Sequence, residues 1–157
     1  MDELDRINKI QSIIDTDNSV GSKRIMYKND TKDLKAYAIP VEALIFNQYN
    51  GRIGTWVKTY EKLNGTTIDA STEKGENTII DFLWKSKPER NKKTKEDIES
   101  KGQLEVGIVT KDGVVIDGNR RSMLLKKIDK ERGTTPTYFN AVVLEDKLID
   151  NPKEIRK

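Results

Sequence analysis

The stretch GVVIDGNRRSML, residues 113–124, sets Asp117, Gly118 and Asn119 between an apolar run and a helical pattern, then follows them at once with Arg120 and Arg121. Where a strand passes through glycine into a helix, several backbone N–H groups lack intrahelical partners and the helix dipole is positive. A phosphate suits that place: the glycine permits close approach, the amides donate, and two guanidiniums offer fork-shaped donors. Cations at a helix start oppose the dipole by about 0.3–1 kcal/mol each, a cost that a bound anion offsets. A structural alternative stands beside this one, in which Arg120 and Arg121 pair with nearby acids such as Asp117 or Glu105.

Other chemistry is excluded by composition. The chain of 157 residues has no cysteine and no histidine, so it has no disulfide framework, no thiol nucleophile, and neither the commonest zinc ligand nor the commonest general base. Twenty-nine Lys and Arg against 26 Asp and Glu leave a net charge of +3, so anion recognition has to be local. Hydrophobic residues make up 34% and charged residues 35%, which predicts one compact core with solvated loops. No apolar run is long enough to span a bilayer and MDELDRINKI is no leader peptide, so a cytoplasmic protein without a membrane partner is expected.

The elements that must position the turn can be read along the chain. Leu4, Ile7, Ile10 and Ile14 repeat at helical spacing behind Asp2 as N-cap, which predicts a helical arm, and residues 15–24 read as loop. Residues 1–35 thus form an expected arm and loop, with a first strand over 37–46. Trp56, Tyr60 and Leu63 mark one short helix, and Ile79, Ile80, Leu83 and Trp84 a second, capped by Asn77; both tryptophans are expected to pack in the core. Residues 65–76 and 86–94 are expected to be mobile or exposed. KSKPERNKKTK, residues 85–95, holds six basic residues and one acid, consistent with a solvated loop or with a phosphate-contacting patch. From Thr94 a helix of one or two turns ends at Gly102; strands over 104–109 and 113–117 flank the Asp112-Gly113 turn. Asn119 caps a helix that turns Met123, Leu124 and Ile128 inward and Lys126 and Lys127 outward, ending at Gly133. A strand over 137–144 follows Pro136. Asn151, Pro152 and Glu154 begin a further helix at which the chain stops, as expected of a piece of a longer protein. The fold class expected is α+β, a small mixed sheet flanked by short helices.

KGQLEVGIVTKDGVVIDGNRRSMLLKKI resembles the heart of the ParB/sulfiredoxin superfamily N-terminal domain. Gly102, Leu104, Glu105 and Val109 match its glycine-terminated helix and following strand, and Gly118, Arg120 and Arg121 match its G-E-R-R turn. IPVEALIFNQYNGR is similar to the opening strand and arginine element, with Arg52 as the arginine, and FNAVVLED to the closing strand, where Glu145 and Asp146 stand at the acidic end. The resemblance covers residues 36–157, with an insertion at about 61–94. Val106 replaces a proline, Asn119 replaces the glutamate, and sulfiredoxin chemistry is excluded because it needs a cysteine in the turn.

The resemblance implies a nucleotide-binding module of a larger DNA-associated protein. A nucleoside triphosphate with Mg²⁺ is the implied cofactor, with Asp117, Gly118, Asn119, Arg120 and Arg121 around the phosphates, Arg52 at the outer phosphate, and Gly102, Gln103 and Glu105 toward base or ribose. Glu105 and Glu145 are the implied catalytic carboxylates for slow hydrolysis, with Glu145 holding the metal. A liganded homodimer is also implied, and DNA is a partner through the full-length protein. Two alternatives stay open: a nuclease-like or sensor domain of a DNA-modification or phage-defence system, whose acids carry metal-assisted cleavage, and a non-catalytic DNA- or protein-binding module.

Overall fold

The computed structural model describes residues 1–48, 51–103, 105–132 and 137–147, without the side chains of Gly51 and Arg52. Helix α1 (Glu3–Asp15) precedes a hairpin of β1 (Gly21–Tyr27) and β2 (Asp30–Pro40), then a 3-10 turn (Val41–Ala43) and the short β3 (Ile45–Phe46). Three helices follow, α2 (Gly51–Asn64), α3 (Glu73–Ser86) and α4 (Pro88–Lys101). The chain closes with β4 (Gly107–Val109), β5 (Val114–Asp117), α5 (Asn119–Arg132) and β6 (Tyr138–Val143).

The strands form one mixed sheet in the order β1-β2-β6-β4-β5-β3, so the fold is α+β. β4 runs parallel to β6 and β3 parallel to β5, while the other neighbours are antiparallel. Alternation along the strands sends Val109, Val115, Phe139 and Ala141 toward α1 and α5. Ile108, Val114 and Ile116 go to the opposite face with Tyr27 and Leu144. A second apolar cluster joins α2, α3 and the buried side of α5.

The Asp112-Gly113 hairpin, the stop at Gly102 and the helix after Gly118 all lie where their signals predict. The N-terminal third differs. Residues 21–40 are a hairpin where a loop is expected up to residue 35, and β2 runs through residue 36. Lys28 and Asn29 both take positive φ, 55° and 60°, which closes a two-residue turn whose twist matches the strands. β1 is a sheet edge carrying mostly polar side chains, so its sequence lacks the apolar alternation of a half-buried strand.

In α1 the packed stripe is Arg6, Ile10, Ile13 and Ile14, while Leu4 is 64% exposed. Arg6 is buried because its Nε donates to Asp112 O at 2.8 Å, tying the arm to the β4–β5 turn. The cap of α3 is Thr72, whose hydroxyl accepts the Gly75 N–H at 3.0 Å, rather than Asn77. α4 begins at Pro88 and runs fourteen residues, so 88–94 is helix and not loop, although 86–94 is mostly exposed. Most of 65–76 is exposed as well. Trp56 and Trp84 are half-buried at the edge of the second cluster, with Trp56 stacked on Phe82 at 4.0 Å. The expected helix end at Gly133, Pro136 and the Asn151 pattern lie outside the described residues.

The largest correction concerns Lys126, expected outward and found 3% exposed. Its ammonium donates to Val41 O at 2.8 Å, Leu44 O at 2.9 Å and Glu76 Oε2 at 3.1 Å. Residues 122–126 of α5 are buried without interruption, so this helix has no solvent side at that level. Burial holds the Lys126 pKa below the ordinary lysine value, and the Glu76 carboxylate opposes that shift. The folded state therefore sheds its proton before the unfolded state does, and stability gains from this residue as pH rises toward the ordinary lysine pKa. Lys126→Ala is expected to destabilise the protein by about 3–5 kcal/mol in chemical denaturation, because it strands two carbonyls and removes one of the two ammonium partners of Glu76. The alkaline gain should vanish in the same variant.

Candidate functional site

The Gly118 turn rests on Phe139. Gly118 has φ +106°, and a Cβ built there would lie 2.7 Å from Phe139 Cζ; one built on Gly107 would lie 2.2 Å from the same atom. The fully buried ring fills the space below both glycines. Packing beneath the turn is therefore a sufficient reason for glycine at 118, whatever approaches from above.

Helix α5 starts directly after that glycine, with the Ser122 N–H donating to Gly118 O at 2.8 Å. Asn119 is the first helical residue, and its Oδ1 is buried without a hydrogen-bond partner among the described residues, so the expected cap is not made. A cavity of about 500 Å³ opens over the turn. Its walls come from α4 (Arg90, Thr94, Asp97, Ile98), the segment after α4 (Gly102, Gln103, Glu105) and residues Asp117 to Arg121. The volume suits a small-molecule ligand.

The two adjacent arginines have different duties. Arg121 NH1 pairs with Glu105 Oε2 at 2.9 Å; the arginine side chain is 22% exposed and the glutamate 78%. Arg120 NH1 donates to Asn91 Oδ1 at 2.7 Å and reaches Leu83 O at 3.4 Å, while NH2 reaches Ser86 Oγ at 3.4 Å. Asn91 is fully buried and its amide donates to Leu83 O and Trp84 O, both at 2.9 Å. Those are late carbonyls of α3 that have no helical donor left. Arg120 thus locks the turn to the α3–α4 junction while its residue still lines the cavity.

Gln103 is a latch. Its amide nitrogen donates to Asn140 O at 2.9 Å and its amide oxygen accepts the Asn140 N–H at 2.7 Å. The pair continues the β4–β6 ladder one step beyond Gly107 and holds Glu105 opposite Arg121.

Glu145 is not at this site. Phe139 lies under the Gly118 turn, and the six residues from Phe139 to Glu145 span roughly 20 Å of extended chain toward the other end of the sheet. There Glu145 pairs with Lys28 Nζ at 2.8 Å, Asp146 pairs with it at 2.9 Å, and the Tyr27 hydroxyl donates to Asp146. The Lys28 ammonium holds the Glu145 carboxyl below its ordinary pKa. Glu145, expected beside Glu105 as the metal-holding carboxylate, thus stands apart from it, because β6 carries it away from the turn. Of the acids near these elements, Glu105 and Asp117 line the cavity, whereas Glu145 and Asp146 pair with Lys28. Among the described residues no three acids stand close enough to hold a metal by themselves.

The Arg52 side chain and Leu104 lie outside the described residues. None of Arg90, Thr94 and Asp97 is expected at the turn from sequence: Arg90 falls in the run read as loop or phosphate-contacting patch, and Thr94 and Asp97 in a helix that starts only at Thr94. The signal was present: Pro88 at the first helical position, with Asn91, Lys95 and Ile98 at helical spacing behind it. No protein-family model, curated protein or solved structure matches this chain.

Gly118→Ala is expected to cost roughly 1–3 kcal/mol from backbone strain and overpacking. Combining it with Phe139→Leu should recover part of that loss, and additive losses in urea denaturation would show that the ring does not set the turn.

Proposed function

We propose that the pocket at the Gly118 turn binds the phosphates of a nucleotide, as the resemblance to ParB-type domains implies. One observation carries the reading. Three guanidinium residues, Arg90, Arg120 and Arg121, converge with the start of α5 on a single cavity of about 500 Å³. Arg120 is committed to the α3–α4 junction, so it acts as scaffold and as background positive charge. Arg121 is the exchangeable donor, since the Glu105 carboxylate it pairs with is largely in water and a phosphate can replace it.

Glu105 in this reading is a stand-in for the ligand's negative charge. Its exposed ion pair is worth little by itself, so exchange for a phosphate costs little. Mg²⁺ would arrive with the triphosphate, and Asp117 would be the protein carboxylate that helps hold it, because Mg²⁺ keeps several waters and needs few protein ligands. Binding alone suffices for a switch.

Titration of the full chain with CTP, ATP, GTP and inorganic triphosphate tests the reading. Arg121→Ala should weaken the preferred ligand by roughly 1.5–3 kcal/mol without loss of stability. Glu105→Gln should tighten it, because the competitor is removed. Arg120→Ala should instead lower stability by about 1–3 kcal/mol through the exposed α3 carbonyls and Asn91. Absence of binding by every triphosphate, or equal affinity in wild type and Arg121→Ala, would overturn the proposal.

A further inference from the structure

The run of cations that precedes the pocket is helical, and that changes its meaning. Lys87 is the residue before α4, and Arg90, Lys92 and Lys93 lie in its first two turns. All four are exposed. None makes an ion pair among the described residues, although Glu89, Glu96 and Asp97 stand on the same helix within one turn. Lysines at either end of this run are paired, Lys85 with Asp81 and Lys95 with Glu99 and Glu131.

The charges also run against the helix. Over residues 87–93 there are four cations and one acid; over residues 96–101 there are three acids and one cation. A helix dipole favours the reverse order, so both ends oppose it. α5 likewise begins with Arg120 and Arg121 in its first turn and no acid there, while its last turn, with Lys130 and Arg132, follows the dipole. Both helix starts therefore concentrate positive charge on one side of the molecule, joined by Arg90, which lines the cavity.

We infer that the N-terminal half of α4 is a docking surface for the phosphate backbone of duplex DNA. Lys87, Arg90 and Lys93 recur every third residue, so they share one side of the helix. α4 contains no aromatic residue on which an unpaired base could stack, which favours a duplex backbone over single-stranded nucleic acid. Removal of the dipole conflict by neighbouring phosphates gives a reason for cations that the fold does not need. Arg90 is shared with the pocket, but Lys87 and Lys93 lie outside it, so a failure of the pocket to bind triphosphate leaves the surface standing.

Fluorescence anisotropy of the full chain with a labelled duplex DNA of random sequence, at several salt concentrations and without nucleotide, tests the inference. Wild type should bind with a steep salt dependence. The triple variant Lys87→Gln, Arg90→Gln, Lys93→Gln should reduce the slope of log affinity against log salt by about one for each cation removed. Its thermal midpoint should not fall, since these side chains support no packing. The control triple Lys58→Gln, Lys62→Gln, Lys74→Gln removes the same charge from exposed positions on α2 and α3 and should leave most of the slope. Equal slopes in the two triples would overturn the assignment to α4, as would absence of duplex binding by wild type, tighter binding of a single strand, or tighter binding of phosphatidylserine vesicles than of duplex.

Discussion

The Lys126 ammonium ties the apolar cluster between the sheet and α1 to the one built on α2 and α3. It sits where α5 passes between the sheet and α3, and its three hydrogen bonds go to the carbonyls that flank the 3-10 turn and to a carboxylate of α3. A buried charge costs several kcal/mol unless each of its donors is satisfied, so the three acceptors have to arrive together. The 3-10 turn, β3 and the start of α3 therefore have one relative placement. Lys130 reinforces it by pairing with the other oxygen of Glu76 at 3.2 Å.

From that placement the site follows. α3 ends beside the Gly118 turn, and Asn91 together with Arg120 satisfies the carbonyls left over at its end. One guanidinium of the pair is thereby spent on structure, and only the second is left facing an exchangeable partner. Phe139 supplies the floor, and Gln103 keeps Glu105 across from Arg121. The pocket is a by-product of three junctions, each with its own reason to exist. That is why its walls come from segments far apart in sequence.

The same geometry separates the Gly118 turn from Glu145 and Asp146. β6 connects the floor of the pocket to Glu145 and Asp146, and an extended strand leaves them at the far end of the sheet with Lys28. A strand cannot fold back on itself over six residues, so the acids it carries cannot serve the turn.

What the sequence determined by itself was local. Asp2 as a cap, Gly102 as a stop, the Asp112-Gly113 hairpin and the strand-turn-helix at Gly118 are set by residues a few positions apart, whose backbone preferences act without help from the rest of the chain. The α+β class was legible for the same reason, as was the pairing alternative between Arg121 and Glu105. Tertiary structure decided the remainder. β1 is a strand because β2 pairs with it, not because its own pattern asks for it. Lys126 is inside because α5 is enclosed on every side, which cancels the rule that a lysine on an amphipathic helix faces water. Arg120 and Arg121 are neighbours in sequence and unlike in role, since successive residues on a helix point about 100° apart and meet different partners. Local preference carries no information about which distant carbonyl, carboxylate or ring will be waiting at the end of a side chain, and at this site those distant groups assign the roles.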